Sequence, residues 1–82
     1  MQVEDQVRSI LDEILGLDGR ASSFESATPL LGSLPELDSM AVIGVLNAIE
    51  EYFDFVIGDD EVDGGTFETF GTLAEFVRTK LQ

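Results

Sequence analysis

Pro35-Glu36-Leu37-Asp38-Ser39-Met40 and the unbroken run that follows it, Ala41-Val42-Ile43-Gly44-Val45-Leu46-Asn47-Ala48-Ile49-Glu50-Glu51-Tyr52-Phe53, decide how the chain is organised. Val42, Leu46, Ile49 and Phe53 recur at spacings of four, three and four, which predicts a helix from about Ser39 to Phe53 with these residues as its buried stripe. Gly44 is the one weak helix former within it. Ser39 therefore falls at or next to the first turn, where serine and aspartate oxygens accept backbone N–H groups that have no partner inside the helix. Two roles are open to Ser39 at that position. It is a cap, or it carries a group, since the positive end of a helix tolerates a phosphate.

Composition narrows the choice. A chain of 82 residues is one small domain, 1–82, and buries only about 60% of its unfolded surface. It has no cysteine and no histidine, so it lacks disulfides, thiolate metal sites, the commonest general base and any Ser-His pair. Nothing in the chain is equipped to activate Ser39, which argues against an enzyme acting alone. Seventeen acidic and four basic residues give a net charge of −13. Such a surface repels nucleic acid and anionic membranes and attracts basic protein surfaces. A hydrophobic content of 44% is too high for an acidic disordered tail. No apolar run approaches a membrane span, and Met1-Gln2-Val3-Glu4-Asp5 is acidic where a signal peptide is basic. The expectation is a cytoplasmic monomer.

Outward from the central helix, Val3, Val7, Ile10, Leu11, Ile14 and Leu15 form one stripe of a first helix, Val3 to Leu15. Arg8 is placed to pair with Glu4 and Asp12, and Gly16 to end the helix in a left-handed conformation. Leu17 to Leu37 reads as a long connection broken by Ser22, Ser23, Ser26, Thr28, Pro29, Gly32, Ser33 and Pro35. Phe24, Leu30, Leu31, Leu34 and Leu37 should pin it to the core, with a short helical turn near Ser22 to Phe24. After the central helix, Asp59, Glu61, Asp63 and Gly64 match the first half of a calcium loop. The match then fails, because Phe70 stands where a bidentate glutamate is required. No metal site is assigned. Thr66 to Phe70 reads as a short third helix with Phe67 and Phe70 inward. Gly71 should break it, and Thr72-Leu73-Ala74-Glu75 has the form of a capping box for a last helix carrying Leu73, Phe76, Val77 and Leu81. Arg78 and Lys80 suit its final turn.

The run Leu37-Asp38-Ser39-Met40 resembles the Asp-Ser-Leu motif of acyl carrier proteins and related peptidyl carriers. The likeness extends over nearly the whole chain: its length, its acidity, Pro29-Leu30-Leu31 before the motif, and the helix order. The resemblance implies an all-α fold, a small four-helix acyl-carrier-like bundle with a long first loop and a short third helix. It implies phosphopantetheine, taken from coenzyme A by a phosphopantetheinyl transferase and attached to Ser39, with Asp38 supporting the modification. It also implies acyl-activating and acyl-transferring partners whose basic surfaces meet the flank Met40, Ile43, Asn47, Glu50 and Glu51. Ala41 and Gly44 stand where the family often has acidic residues. The longer run Leu30 to Val42 is similar to carriers found beside bacterial exosortase and exopolysaccharide genes.

The alternatives are a peptidyl carrier with aminoacyl cargo, an acidic interaction module in which Ser39 is only a cap, and a weak metal-binding regulator. All share one physical consequence. Thirteen uncompensated negative charges on so small a chain repel one another when it folds. Salt at ~0.15 M shortens the screening length to about 8 Å, so the melting temperature should rise from low salt to that concentration. A melting temperature independent of salt would contradict this.

Overall fold

A computed structural model describes residues 3–82; Met1 and Gln2, and with them the start of the acidic N-terminal reading, lie outside the described residues. Three α-helices form among them: α1 (Val3–Leu15), α2 (Ser39–Phe53) and α3 (Phe70–Leu81), with single 3₁₀ turns at Arg20–Ser23 and Asp59–Glu61. The architecture is all-helical as expected, but the short third helix is absent and the count is three.

The first helix follows its sequence pattern except at Ile14, which lies at the edge of the stripe and is 41% exposed. Val7, Ile10, Leu11 and Leu15 are buried, and Gly16 turns left-handed at φ +64° to end it. Leu17 N–H then donates back to Asp12 C=O at 3.0 Å, and Leu17 is itself fully buried. α1 packs against both α2 and α3 and forms the spine of the core. The expected pairs of Arg8 with Glu4 and Asp12 are replaced. Arg8 pairs with Asp5 at 2.8 Å, donates from Nε to Phe24 C=O at 2.9 Å and lies 4.9 Å from the Phe70 ring centroid. Glu4 instead reaches Arg78 and ties α1 to α3. Asp12 accepts from Gly19 N–H and Ala21 N–H.

The buried line of α2 is rotated from the expected stripe. Val45 and Ile49 are fully buried, whereas Val42, Leu46 and Phe53 are half-buried against the core. An almost uniformly apolar helix leaves its phase open to packing, so periodicity alone could not separate these two rows.

The long first loop is pinned by Phe24, Leu30 and Leu37, all buried, and by half-buried Leu34; Leu31 is exposed. Its anchor is a seam with the start of α3. Leu30 N–H donates to Glu68 C=O and Leu31 N–H to Phe67 C=O, each at 3.0 Å. Phe70 N–H donates to Thr28 C=O at 2.8 Å and Gly71 N–H to Ser26 C=O at 2.9 Å. Pro29 and Thr69 form an isolated antiparallel bridge between them.

This seam explains why the cap of α3 lies three residues before the expected one. Thr69, not Thr72, is the N-cap: its hydroxyl accepts from Thr72 N–H, and the Thr72 hydroxyl accepts from Thr69 N–H, each at 3.1 Å. The N–H groups that the helix itself cannot satisfy are met by the loop carbonyls. Phe67 and Phe70 are inward as expected, at 3% and 1% exposure, but residues 64–67 form turns rather than a helix. Gly71 does not break the helix. It lets the loop approach, since a Cβ there would sit 2.7 Å from the Ser26 carbonyl oxygen. Gly71→Ala should therefore destabilise the fold by about 2 kcal/mol, the range for overpacking. Gly64→Ala, which meets nothing within 4 Å, should cause little loss. Thermal unfolding followed by circular dichroism compares them. Equal melting temperatures would contradict the close approach.

Candidate functional site

Asp38 is the N-cap of α2, with extended backbone at φ −102°, ψ −176°. Its Oδ1 accepts from Ala41 N–H at 2.8 Å, and its carbonyl accepts from Val42 N–H at 2.9 Å. Ser39 is thereby the first helical residue, and both Asp38 and Ser39 are exposed. The cap is the aspartate, which leaves the serine hydroxyl without a structural task. Among the described residues no acceptor takes the N–H of Ser39 or of Met40. Two N–H groups at the positive end of a helix therefore stand free beside an exposed hydroxyl, an arrangement that suits a phosphate.

The segment leading to Ser39 is held from outside. Leu37 is buried at 4% exposure. Glu36 Oε2 accepts from Arg20 Nη2 at 2.5 Å, and that bond holds its carboxyl below the ordinary carboxylate range. Neither Arg20 nor Glu36 stood out in the sequence. Their separation of sixteen residues through a loop left no periodic signal.

On the flank of α2, Met40 and Ile43 are 76% and 55% exposed, and Asn47 and Glu51 are exposed as well. Glu50 differs from the rest of the expected docking set. It is half-buried, and its Oε2 accepts from Ile57 N–H at 2.7 Å. Its carbonyl accepts from Asp54 N–H, where the chain turns left-handed to leave the helix. Glu50 thus folds the following loop back along α2. Between helix and loop lies a cleft of about 320 Å³, lined by Ile43, Leu46 and Glu50 on one side and Ile57, Gly58 and Val62 on the other.

The far lip of this cleft is tied to α3. Glu61 accepts from Gly58 N–H at 2.9 Å and from Lys80 Nζ at 2.7 Å. Lys80, then the Gly58 N–H, holds the Glu61 carboxyl below its ordinary range. This tie therefore contributes above the unfolded carboxylate pKa and is lost as pH falls through the lower folded one. Two of the three carboxylates of the half calcium loop are accordingly spent on internal bonds: Glu61 serves Lys80 and Gly58, and Asp63 Oδ1 accepts from Gly65 N–H.

No protein-family model matches the chain. A solved structure does: the holo acyl carrier protein of Nitrosomonas europaea, determined in solution by NMR, is 52% identical. The match covers 99% of this chain and 98% of that one, with a TM-score of 0.91. The chain belongs to the acyl carrier protein family. Its function is that of an acyl carrier, not of an enzyme. Among the described residues no helix is long and apolar enough to cross a membrane.

The two uses of acid on α2 can be separated. Glu50→Ala should release the Ile57 amide, so its hydrogen exchange should accelerate at least about tenfold, the effect of losing a charge-assisted bond. Glu51→Ala should leave that amide unchanged. Equal exchange at Ile57 in both variants would show that Glu50 does not hold the loop.

Proposed function

We propose that Ser39 is the phosphopantetheine attachment site and that the carrier presents acyl intermediates to partner enzymes as thioesters on that arm. The observation supporting this reading is the exposed Ser39 hydroxyl at the first position of α2, beside two free N–H groups and capped by Asp38 rather than by itself. The residues present fit the group. A phosphodiester at Ser39 lies against the positive helix end, and the remaining Asp38 oxygen is free to assist a transferase-bound metal ion.

In the attachment step the Ser39 oxygen forms a bond to phosphorus of coenzyme A. The pyrophosphate P–O bond breaks, adenosine bisphosphate leaves, and the hydroxyl proton passes to a base on the transferase. A separate enzyme must supply that base, because the chain has no histidine or cysteine. The arm, once attached, supplies the thiol that a cysteine-free chain lacks.

The protein's own residues then provide an address. Glu51 and the surrounding acids steer a basic enzyme surface, and Met40, Ile43 and Asn47 meet it. Glu50, expected as a docking acid, contributes through the loop it holds. The cleft that begins at Ile43, one turn beyond Ser39, offers apolar walls to the cargo nearest the arm. The similarity of Leu30 to Val42 supports a place beside exosortase and exopolysaccharide machinery.

Incubation with coenzyme A, magnesium and a phosphopantetheinyl transferase should add one phosphopantetheinyl group, read by intact mass. Ser39→Ala should fold, because it leaves the Asp38 cap in place, and should accept none. A native chain left unmodified by several transferases, the cognate one included, would overturn the assignment.

A further inference from the structure

The Arg20 guanidinium joins two distant parts of the first loop, sixteen residues apart in the chain. On one side its base is fixed. Asp12 takes the N–H groups of Gly19 and Ala21, at 2.8 and 3.3 Å. Leu17 and Ala21 are wholly buried, and Arg20 Nε donates to Leu17 C=O at 3.1 Å. On the other side Nη2 donates to Glu36 Oε2 at 2.5 Å. The second oxygen of Glu36 is enclosed and meets no protein donor, so Arg20 is the cation that balances this carboxylate.

We propose that Arg20, acting through Glu36, is a positioning residue for attachment of the arm to Ser39; this rests on the reading of Ser39 given above. Three successive side chains before Ser39 are each held by a different part of the molecule: Glu36 by Arg20, Leu37 by the core and Asp38 by Ala41 N–H. Removing Arg20 frees the first of them and leaves its charge uncompensated three residues from the hydroxyl. The incoming donor is a pyrophosphate, so both consequences oppose transfer. One is misplacement of the nucleophile, and the other is repulsion of the anionic donor. The chain has four basic residues against seventeen acidic ones, and this one is spent beside the segment that must receive an anion.

The test is initial-rate kinetics of attachment with coenzyme A, magnesium and a broad-range transferase, using the native chain, Arg20→Ala, Arg20→Glu, Glu36→Arg and the exchanged pair Arg20→Glu with Glu36→Arg. Arg20→Ala should lower kcat about fivefold, within the range for coupled neighbours, with little change in KM for the carrier. The exchanged pair should recover much of the rate lost by either charge reversal alone. In NMR spectra of the unmodified protein, Arg20→Ala should move the Asp38 and Ser39 amides and leave those of α3 in place, which distinguishes repositioning from unfolding. Native rates in Arg20→Ala would overturn the inference. So would a loss confined to KM with no recovery in the exchanged pair, since Arg20 would then be a contact for the transferase. A native chain that accepts no arm would remove the Ser39 assignment and this inference with it.

Discussion

Everything that presents Ser39 depends on the seam between the first loop and the start of α3. A connection of over twenty residues has no reason of its own to stay in one place, and its closure entropy opposes folding. Here its carbonyls at Ser26 and Thr28 meet the two N–H groups that α3 cannot satisfy internally, while Leu30 and Leu31 donate in return to Glu68 and Phe67. The loop supplies what the helix end lacks, and the helix end fixes the loop. Gly71 makes the approach possible because it places no Cβ against the Ser26 carbonyl. With the loop fixed at Leu30 and Leu37, the segment entering α2 has little freedom.

The two helix starts are opposites, and the contrast carries the functional argument. At α3 the N–H groups from Phe70 to Leu73 all have protein acceptors. At α2 the cap satisfies Ala41 and Val42 but not Ser39 and Met40. One end is a structural joint. The other keeps its positive end open beside an exposed hydroxyl, which is the chemistry an anionic modification requires.

The few cations serve the same end in a chain of charge −13. Arg78 joins α3 to α1 through Glu4, Lys80 joins it to the cleft loop through Glu61, Arg20 joins the two parts of the first loop, and Arg8 holds Phe24 beneath Phe70. Exposed pairs of this kind contribute little individually. Their value lies in which elements they connect, and all four pair within the protein, leaving the outer surface strongly acidic.

Much of this was legible in the sequence and the remainder was not, for identifiable reasons. The ends of α1 and α2 and the place of Ser39 follow from local spacing and capping, which are written within a few residues of each other. The phase of α2 was misread because Val45 competes with Val42 on a helix apolar nearly all round. The start of α3 was misread because Thr72-Leu73-Ala74-Glu75 imitates a capping box, while the acceptors for Phe70 and Gly71 lie over forty residues earlier. The bond from the Ile57 N–H to Glu50 was not legible, because that partner is backbone and leaves no mark on residue identity. The most direct test of the account is native-state hydrogen exchange of the Leu30, Leu31, Phe70 and Gly71 amides. They should exchange as slowly as the α1 core amides of Ile10 and Leu11, opening only with global unfolding. Fast exchange at these four, with α1 still protected, would show that the first loop is not held by α3 and would contradict the account at its base.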